Sequence, residues 1–224
     1  MTTYWDKQFL RHLEIDKLKY IFEVGARYGD ESITLSNIFK NSNIYSFECN
    51  PNTINICKQK LEKCDRIKFF DVGLGDIESD LPFYSFTKDN DGASSLFKRI
   101  DFNETQQFNG FIKTQKLSHV VRNEKVPYID LLCMDVQGYE LNVLKGCDEF
   151  LQNINFIIME EPKKVINTQY LPENCYSKYI NSPNPDEIST FMKNNNFIEV
   201  VRIEENKIED NVMYKNINFN PLTH

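Results

Sequence analysis

Tyr20-Ile-Phe-Glu-Val-Gly-Ala-Arg-Tyr-Gly29 is the stretch that decides how this chain folds. A short apolar run ends at Glu23 and Gly25, and Gly29 follows four residues later, where a helix is expected to begin. In open parallel sheets, ligands bind beyond the carboxyl ends of the strands. Free N–H groups at a helix N-terminus favour an anionic group there. The stretch therefore predicts a strand, a ligand-binding turn and a helix.

The same alternation of apolar runs and helical stretches continues along the chain. The predicted elements are strands over 20–24, 44–48, 67–72, 129–135 and 154–159, helices over 29–40, 52–62, 139–145 and 185–193, and a terminal strand pair over 197–203 and 212–217. Strands that alternate with helices form a parallel sheet with helices on both faces, and a terminal hairpin adds one antiparallel strand. Gly146 is predicted to end a helix at its C′ position. The expected fold class is α/β.

Length and charge limit the class of protein. The 224 residues suit a single domain, 1–224, and the net charge of −7 disfavours a nucleic-acid partner. The N-terminus lacks an apolar signal core, and no apolar run approaches the length that spans a membrane. We expect a cytoplasmic protein without a membrane partner.

The cysteine pattern agrees with this location. The six cysteines are scattered and form no CxxC pair: Cys49, Cys57, Cys64, Cys133, Cys147 and Cys175. Such spacing argues against a disulfide framework or a zinc site. Reduced thiols in a reducing compartment are expected.

Two regions lie outside the strand and helix alternation. Residues 1–18 are predicted to form an N-terminal helical cap, with a helix over 4–14 that covers the sheet or, alternatively, closes over the ligand. Residues 78–118 are too long for a structureless loop and predict an inserted β-hairpin plus a helix or ordered loop. This insertion is rich in aromatic residues: Phe83, Tyr84, Phe86, Phe97, Phe102, Phe108 and Phe111.

The turn after the first strand selects the kind of ligand. A dinucleotide fingerprint requires G-x-G-x-x-G, but Arg27 stands where the middle glycine is needed, and the spacing is G-x-x-x-G. A wider turn suits a ligand with a nucleoside and a carboxylate but no diphosphate. S-adenosylmethionine is such a ligand, and we expect it as the cofactor.

Acids at the ends of the next strands support a nucleoside site. Glu48 follows Gly25 by about 20 residues, the spacing at which an acid accepts hydrogen bonds from ribose hydroxyls. Asp71 or a neighbouring backbone amide is predicted to meet the adenine edge. The predicted cofactor-binding residues are Glu23, Gly25, Ala26, Arg27, Gly29, Glu48, Cys49, Asp71, Val72, Gly73, Asp135 and Val136.

With these pieces the chain resembles the class I S-adenosylmethionine-dependent methyltransferases, and more narrowly the FkbM family, from about residue 20 to 162. The matching stretches are 23–29, 47–51, Gly92-Ala-Ser-Ser-Leu96 and Ile129-Asp-Leu-Leu-Cys-Met-Asp-Val-Gln-Gly-Tyr-Glu-Leu-Asn-Val-Leu-Lys-Gly146. The resemblance implies a Rossmann-like, seven-stranded, mostly parallel sheet. It also implies methyl transfer to a hydroxyl of a sugar or another small metabolite, so the expected partner is a small-molecule or glycan acceptor.

The chain departs from the family pattern at several positions. That pattern is close to I-D-L-L-K-I-D-V-E-G-x-E-x-x-V-L-x-G, in which Cys133 replaces a lysine and Gln137 replaces a glutamate. Leu117-Ser118-His119 corresponds to L-D-D, with both acids lost. These losses put in question a mechanism that needs those acids or that lysine. They do not affect the residues predicted to bind the cofactor.

A hydroxyl acceptor calls for a base, which typically contributes about 10²–10⁴-fold. Asp135, at the end of the fourth strand, is the first candidate, with a turn-orienting role as its alternative. Glu160 and His119 are further catalytic candidates. Of the adjacent Glu160 and Glu161, one is expected to line the acceptor pocket, and the other to be solvated or to pair with Lys163 or Lys164. No metal is predicted, although Asp135, Glu140, Glu160 and Glu161 are residue types that bind hard cations.

Two rival functions remain open at this stage. A non-catalytic S-adenosylmethionine-binding module is suggested by the missing acids at 118, 119 and 137. A nicotinamide-dependent oxidoreductase is the third hypothesis, against which the missing middle glycine argues. The aromatic residues of the insertion are expected to form an acceptor wall or to pack against the sheet, and homo-oligomer formation is left open.

Overall fold

The computed structural model describes residues 4–86, 90–100, 106–164 and 176–221. The strands are, in chain order, β1 (Tyr20–Val24), β2 (Asn43–Phe47), β3 (Ile67–Phe70), β4 (Gly73–Leu74), β5 (Asp80–Ser85), β6 (Gln107–Gln115), β7 (Ile129–Met134), β8 (Ile154–Pro162), β9 (Phe197–Glu204) and β10 (Glu209–Asn216). The α-helices are α1 (Lys7–Leu10), α2 (Asp30–Ile38), α3 (Ile54–Leu61), α4 (Leu117–Glu124), α5 (Glu140–Lys145) and α6 (Pro185–Asn194).

The main sheet has seven strands in the order β3-β2-β1-β7-β8-β10-β9. The pairs of neighbouring strands from β3 to β8 are parallel, and β10 runs antiparallel to both β8 and β9. The predicted class I sheet with one antiparallel strand is therefore confirmed. The strand order reverses between β1 and β7, and a crevice at such a reversal is where open α/β sheets bind ligands.

Helices cover both faces of this sheet, as predicted. Every residue of β7 is buried, because its neighbours on both faces are apolar. On one face Leu132 packs in a cluster with residues of α4, α5 and α6, and on the other face Leu131 packs with residues of α1, α2 and α3. Each fully buried side chain of this size contributes about 1.5–3 kcal/mol relative to an exposed one.

The insertion predicted over 78–118 supplies two strands, β5 and β6, of a small second sheet in the order β4-β6-β5, and β4 precedes the insertion in the chain. Strands β5 and β6 pair antiparallel, and helix α4 follows β6. The aromatic residues divide between two environments: Phe83 and Phe86 are buried, whereas Phe108 and Phe111 are exposed. Phe102 lies outside the described residues.

Two local predictions are corrected by the structure. The helix predicted over 4–14 is only the four-residue α1, because the chain turns before a 3-10 helix, Ile15–Lys17, so that Leu13 and Leu18 both enter the core. Gly146 ends α5 with φ −71°, which is not the left-handed conformation of a C′ glycine. A Cβ there would lie 2.0 Å from the Gly75 carbonyl oxygen, so close backbone packing explains the glycine.

Candidate active site

A cavity of about 680 Å³ lies at the carboxyl ends of β1, β2, β7 and β8. Its size is within the range of small-molecule sites, and its position is the sheet edge expected for a ligand. The loop 90–96 covers one side, and the turn between β9 and β10 closes another. Nine of the twelve predicted cofactor-binding residues line it: Gly25, Ala26, Arg27, Glu48, Cys49, Val72, Gly73, Asp135 and Val136.

Gly25 joins two sides of the cavity through its backbone. Its φ of +94° favours glycine, and a Cβ at this position would lie 2.0 Å from the Asp135 carbonyl oxygen. The Asp135 N–H donates to the Val24 carbonyl at 3.0 Å, which holds the two turns together. Because Gly25 has no Cβ, the turn after β1 can pack directly against the turn after β7. The sequence predicted only that the glycine lets the backbone come close to a ligand.

Glu48 holds the turn after β1 against the turn after β2. Its carboxylate accepts the backbone N–H groups of Arg27 at 2.5 Å, Cys49 at 2.8 Å and Asn50 at 2.6 Å. Burial raises the pKa of Glu48 to about 7. A carboxylate has about four lone-pair sites, so three backbone bonds leave capacity for a ligand hydroxyl.

Three predicted cofactor residues do not line the cavity. Glu23 is buried beneath α2, where it accepts hydrogen bonds from Ser32 and from Ser46, and burial raises its pKa to about 8. Gly29 caps α2 and packs against Leu61 of α3. Asp71 is exposed on the surface. The neighbouring Val72 and Gly73 take the place at the cavity that the sequence assigned to Asp71.

Arg27 fastens the loop 90–96 over the cavity. Its Nε donates to Asp91 Oδ1 at 2.9 Å, and the Tyr28 hydroxyl donates to the other Asp91 oxygen. A Cβ on Gly92 would lie 3.2 Å from the Arg27 Cζ, so the loop passes close to the guanidinium. Arg27, which replaces the middle glycine of a dinucleotide fingerprint, therefore holds the loop 90–96 over the cavity.

Gln137 connects the two acids on the opposite side of the cavity. Its Nε2 donates to Asp135 Oδ1 at 2.5 Å and to Glu160 Oε2 at 3.3 Å. The Tyr179 hydroxyl donates to the Gln137 Oε1 at 2.5 Å, which fixes the orientation of the amide. Ser95 donates to the Gln137 carbonyl at 2.8 Å and ties this turn to the loop 90–96.

The two acids differ in how strongly they hold a proton. Burial raises the pKa of Asp135 to about 6, while the hydrogen bond from Gln137 opposes the shift and the Glu209 and Glu205 charges add to it. Burial, with the nearby Asp135 charge second, raises the pKa of Glu160 well above its usual value. Both carboxyl groups therefore hold a proton more tightly than an ordinary acid does, and the short hydrogen bond from Gln137 favours the ionised form of Asp135.

The other acids considered from the sequence have structural partners. Glu140 accepts the N–H groups of Val136 at 3.1 Å and Gly138 at 3.3 Å, and burial raises its pKa to about 8. Glu161 accepts hydrogen bonds from Arg202 at 2.9 Å and Tyr214 at 2.5 Å, instead of pairing with a lysine. Within the described ranges, no group of three or more His, Cys, Asp or Glu side chains is arranged to hold a metal ion.

His119 lies on α4, away from the cavity. Its side chain is 42% exposed, and its Nδ1 is 2.7 Å from Glu78 Oε1. The neighbouring Ser118 donates to Asp148 at 2.7 Å. The structure therefore does not bring His119 together with Asp135 and Glu160, and the acids lost at 118 and 119 are not missing from the cavity.

Several cavity residues were not found from the sequence. They come from the N-terminal segment, the start of α2 and the β9–β10 hairpin: Tyr4, Glu31, Glu205, Asn206, Glu209 and Asn211. For the four hairpin residues the available signal was the predicted antiparallel strand, because β10 pairs with β8 and sets Asn211 opposite Glu160. Which hairpin residues reach the cavity depends on this register.

The donor set of the cavity suits S-adenosylmethionine. Glu48 has spare accepting capacity for ribose, and the apolar side chains of Val72, Leu74 and Phe83 supply surface for a purine. Glu31 and Asp135 lie on the other side and suit the positive charge of a sulfonium and an ammonium. The cavity therefore has a nucleoside side and an acidic side.

Helix length and the state of the cysteines complete the description of the structure. The structure contains no helix, within the described ranges, of sufficient length and apolar character to cross a membrane. Five cysteines are free thiols: Cys49, Cys57, Cys64, Cys133 and Cys147. Cys175 lies outside the described residues.

Comparison with known proteins places this site in a family. The Methyltransferase FkbM domain matches residues 23–199. The hexuronic acid methyltransferase AglP of Haloferax volcanii is 27% identical over 180 residues, which cover 78% of this chain and 70% of that protein. The 2-O-methyltransferase NoeI of Sinorhizobium fredii is 25% identical over 162 residues, which cover 68% of this chain and 67% of that protein.

The fold also agrees with solved structures. An FkbM methyltransferase from Methylobacillus flagellatus superposes with a TM-score of 0.61 at 12% identity, covering 96% of this chain and 47% of that chain. This chain thus spans about half the length of that protein. Fibrillarin from Aeropyrum pernix superposes with a TM-score of 0.52 at 14% identity over 90% of this chain and 68% of its own. The family match covers most of the sequence, and the chain therefore belongs to the FkbM family of S-adenosylmethionine-dependent methyltransferases.

Proposed function

We propose that this protein transfers a methyl group from S-adenosylmethionine to a hydroxyl of a sugar or another small metabolite. The observation that carries the proposal is the pair of carboxyl groups, Asp135 and Glu160, joined by Gln137 at the acidic side of the cavity. The names of the Haloferax and Sinorhizobium relatives, a hexuronic acid methyltransferase and a 2-O-methyltransferase, support a hydroxyl on a sugar as the acceptor.

The residues around the β1 and β2 turns are proposed to hold the cofactor. Glu48 accepts a hydrogen bond from a ribose hydroxyl, and Val72 with Leu74 packs against the purine. Loop 90–96 excludes water when Arg27 and Tyr28 hold Asp91. When bound, S-adenosylmethionine supplies an electrophilic methyl on a sulfonium.

Asp135 is proposed as the base. Its ionised carboxylate would accept the proton of the acceptor hydroxyl as that oxygen takes the methyl group that the bound cofactor would supply. Glu160, whose pKa burial raises well above its usual value, hydrogen bonds the acceptor. Gln137 holds both side chains in place, so that alignment supplies part of the rate. The non-catalytic alternative loses support, because only Gln137 among the departures at 118, 119 and 137 touches the cavity acids.

Methyl-labelled S-adenosylmethionine and a sugar panel test the assignment. We expect label to appear as a methyl ether in at least one sugar, and Asp135→Asn to lower the rate by about 10²–10⁴-fold. Glu149→Gln, an exposed substitution near the opposite edge of the sheet, is the matched control. Equal methyl-transfer rates in Asp135→Asn and wild type would show that Asp135 is not the base.

The location of the protein in the cell is part of the same proposal. The free thiols support a reducing compartment, and we propose a cytoplasmic location. Fractionation of the source cells with an antibody against the protein checks it: recovery in the cytosolic fraction is expected, and recovery outside the cytoplasm would overturn it.

A further inference from the structure

The hydroxyl of Tyr4 is a buried polar group without a partner. The residue is 5% exposed, and its hydroxyl oxygen makes no hydrogen bond within the described part of the chain. Buried hydroxyl groups in folded proteins are normally hydrogen bonded, and an unpaired one costs free energy. Tyr4 also lines the cavity. A polar group of a bound ligand would therefore supply the missing partner.

Packing holds the Tyr4 ring near the ends of β1 and β7. The ring belongs to the core cluster that contains Phe9 of α1, Ala26 of the turn after β1 and Cys133 of β7. The N-terminal segment therefore reaches the cavity from the face of the sheet that α2 covers. Tyr4 lies outside the segment that matches the FkbM domain, residues 23–199, so membership of the family assigns it no role.

Two carboxyl groups of the cavity lie near the Tyr4 hydroxyl. They belong to Glu31, in the first turn of α2, and to Asp135, after β7. Burial, and then the charges of Asp135 and Glu31, raise the pKa of Tyr4 well above its usual value, so the phenol keeps its proton at neutral pH. Gln137 donates to Asp135 at 2.5 Å, whereas no hydrogen bond or ion pair holds the Glu31 carboxylate within the described ranges.

The chemistry of this pair favours a cationic hydrogen-bond donor. Burial, with the Asp135 charge second, raises the pKa of Glu31 to about 7. A cation beside Glu31 would favour its ionised form. The oxygen of a neutral phenol can accept a hydrogen bond from the same cation. An ammonium group, which carries three donors and one positive charge, satisfies both Tyr4 and Glu31.

The strand order indicates which part of the cofactor reaches these residues. The proposed ribose site at Glu48 follows β2, and the proposed purine surface at Val72 follows β3. The next strands along the sheet are β1 and then β7. A chain that extends from the ribose away from the purine therefore passes Gly25, after β1, before it reaches Tyr4 and Glu31. In S-adenosylmethionine this chain is the amino-acid part, whose α-amino group is protonated at neutral pH.

We propose that Tyr4 and Glu31 bind the α-ammonium group of S-adenosylmethionine, with the Tyr4 hydroxyl oxygen accepting one N–H and the Glu31 carboxylate accepting another. This inference rests on the proposed methyltransferase function and deepens it. The arrangement leaves Asp135 available to the acceptor hydroxyl. The N-terminal segment would then both cover the sheet and contact the ligand, which are the two alternatives expected from the sequence.

Two ligands that differ only in the amino group test the proposal by calorimetry. They are S-adenosylhomocysteine and its deaminated analogue, which keeps the nucleoside, the thioether and the carboxylate. Wild type should bind S-adenosylhomocysteine on the order of a hundredfold more tightly than the analogue, because two charge-assisted contacts are lost with the amine. A wild-type protein that binds both ligands equally well would overturn the inference. A wild-type protein that binds neither would instead contradict the proposed function.

Conservative variants assign the contacts to the two residues. Tyr4→Phe and Glu31→Gln should each weaken binding of S-adenosylhomocysteine on the order of tenfold and leave the Kd of the deaminated analogue unchanged. Tyr128→Phe, which removes a hydroxyl at the opposite end of β7, and the exposed Glu62→Gln are the matched controls and should change neither Kd. Unchanged affinity for S-adenosylhomocysteine in Tyr4→Phe, or equal losses for both ligands, would contradict the inference.

Thermal unfolding provides a readout of the opposite sign. Tyr4→Phe removes a buried hydroxyl that has no partner in the free protein, so the Tm without ligand should rise above that of wild type. Saturating S-adenosylhomocysteine should then raise the Tm of the variant by less than it raises that of wild type. A lower Tm for Tyr4→Phe without ligand would show that the hydroxyl stabilises the free protein, and would overturn the assignment of this group to the ligand.

Discussion

At the scale of single residues, the chemistry depends on how Asp135, Gln137 and Glu160 share protons. The Gln137 amide donates to both acids, and its orientation is fixed by the Tyr179 hydroxyl. An amide at this position stabilises the ionised form of Asp135 without adding a charge. The family pattern has glutamate here, so this chain has exchanged a third carboxylate for a neutral donor.

Gln137→Glu should raise the pKa of Asp135, because the variant replaces the amide donor with a carboxylate. In wild type the methyl-transfer rate is expected to fall as the pH drops through about 6, where Asp135 gains its proton. In the variant this fall should occur at a higher pH, by about one unit. The pH profile of kcat measures it, with the exposed Gln152→Glu as control. Superimposable profiles would contradict the proposed role.

Glu23 is expected to make stability depend on pH. Its pKa is about 8 in the folded protein, against an ordinary value of 4.5, so the folded state binds more protons between these values. The stabilisation is full below about 4.5 and is lost as the pH rises to about 8, by at most about 1.4 kcal/mol per unit.

Glu23→Gln should reduce this slope, since a neutral amide keeps the size of the side chain and has no proton to lose. Urea denaturation at several pH values between 5 and 8 provides the free energy of unfolding. The exposed Glu62→Gln is the control and should retain the wild-type slope. A slope in Glu23→Gln equal to that of wild type would show that Glu23 does not carry a bound proton.

At the scale of elements, the cavity is assembled by contacts between loops. The loop 90–96 is tied to the β1 turn through Asp91 and Arg27, and to the β7 turn through Ser95 and Gln137. Arg27 and Gln137 both follow the ends of strands in the main sheet, so the sheet fixes the position of the loop 90–96.

Asp91→Asn should loosen this cover, because it removes the charge that holds Arg27 and Tyr28. We expect the Kd for S-adenosylmethionine to rise on the order of tenfold and amide hydrogen exchange over 92–96 to accelerate. Calorimetry and exchange measured by mass spectrometry give both numbers. Glu14→Gln, which weakens the exposed pair with Lys17, is the control and should change neither. Unchanged affinity and exchange in Asp91→Asn would refute this role.

The end of α5 provides a test of close packing between elements. Gly146→Ala would place its Cβ 2.0 Å from the Gly75 carbonyl oxygen, so the backbone must shift. We expect a loss of about 1–3 kcal/mol in the free energy of unfolding. The neighbouring exposed Lys145→Ala should stay within about 0.5 kcal/mol of wild type. A Gly146→Ala protein as stable as wild type would mean that this contact is relaxed at little cost.

At the scale of the whole molecule, the sequence predicted the sheet well because its signals are local. Alternating apolar runs and helices predict the parallel sheet and its terminal antiparallel strand, and strand-end residues such as Gly25 and Glu48 fall at the cavity. Glu23 and Asp71 were misplaced because the period of a strand decides which face a side chain takes, and the boundary of β3 differs by two residues. Tyr4 and Glu209 were missed because their approach to the cavity depends on long-range packing.

A crystal structure of the protein with S-adenosylhomocysteine tests the central claim most directly. The predicted result is a ligand in the cavity, with its ribose against Glu48, its adenine against Val72 and Leu74, and its sulfur toward Asp135. A ligand bound elsewhere on the chain, or a ribose on the side of Glu205 and Glu209, would contradict the assignment of this cavity as the methyl-transfer site.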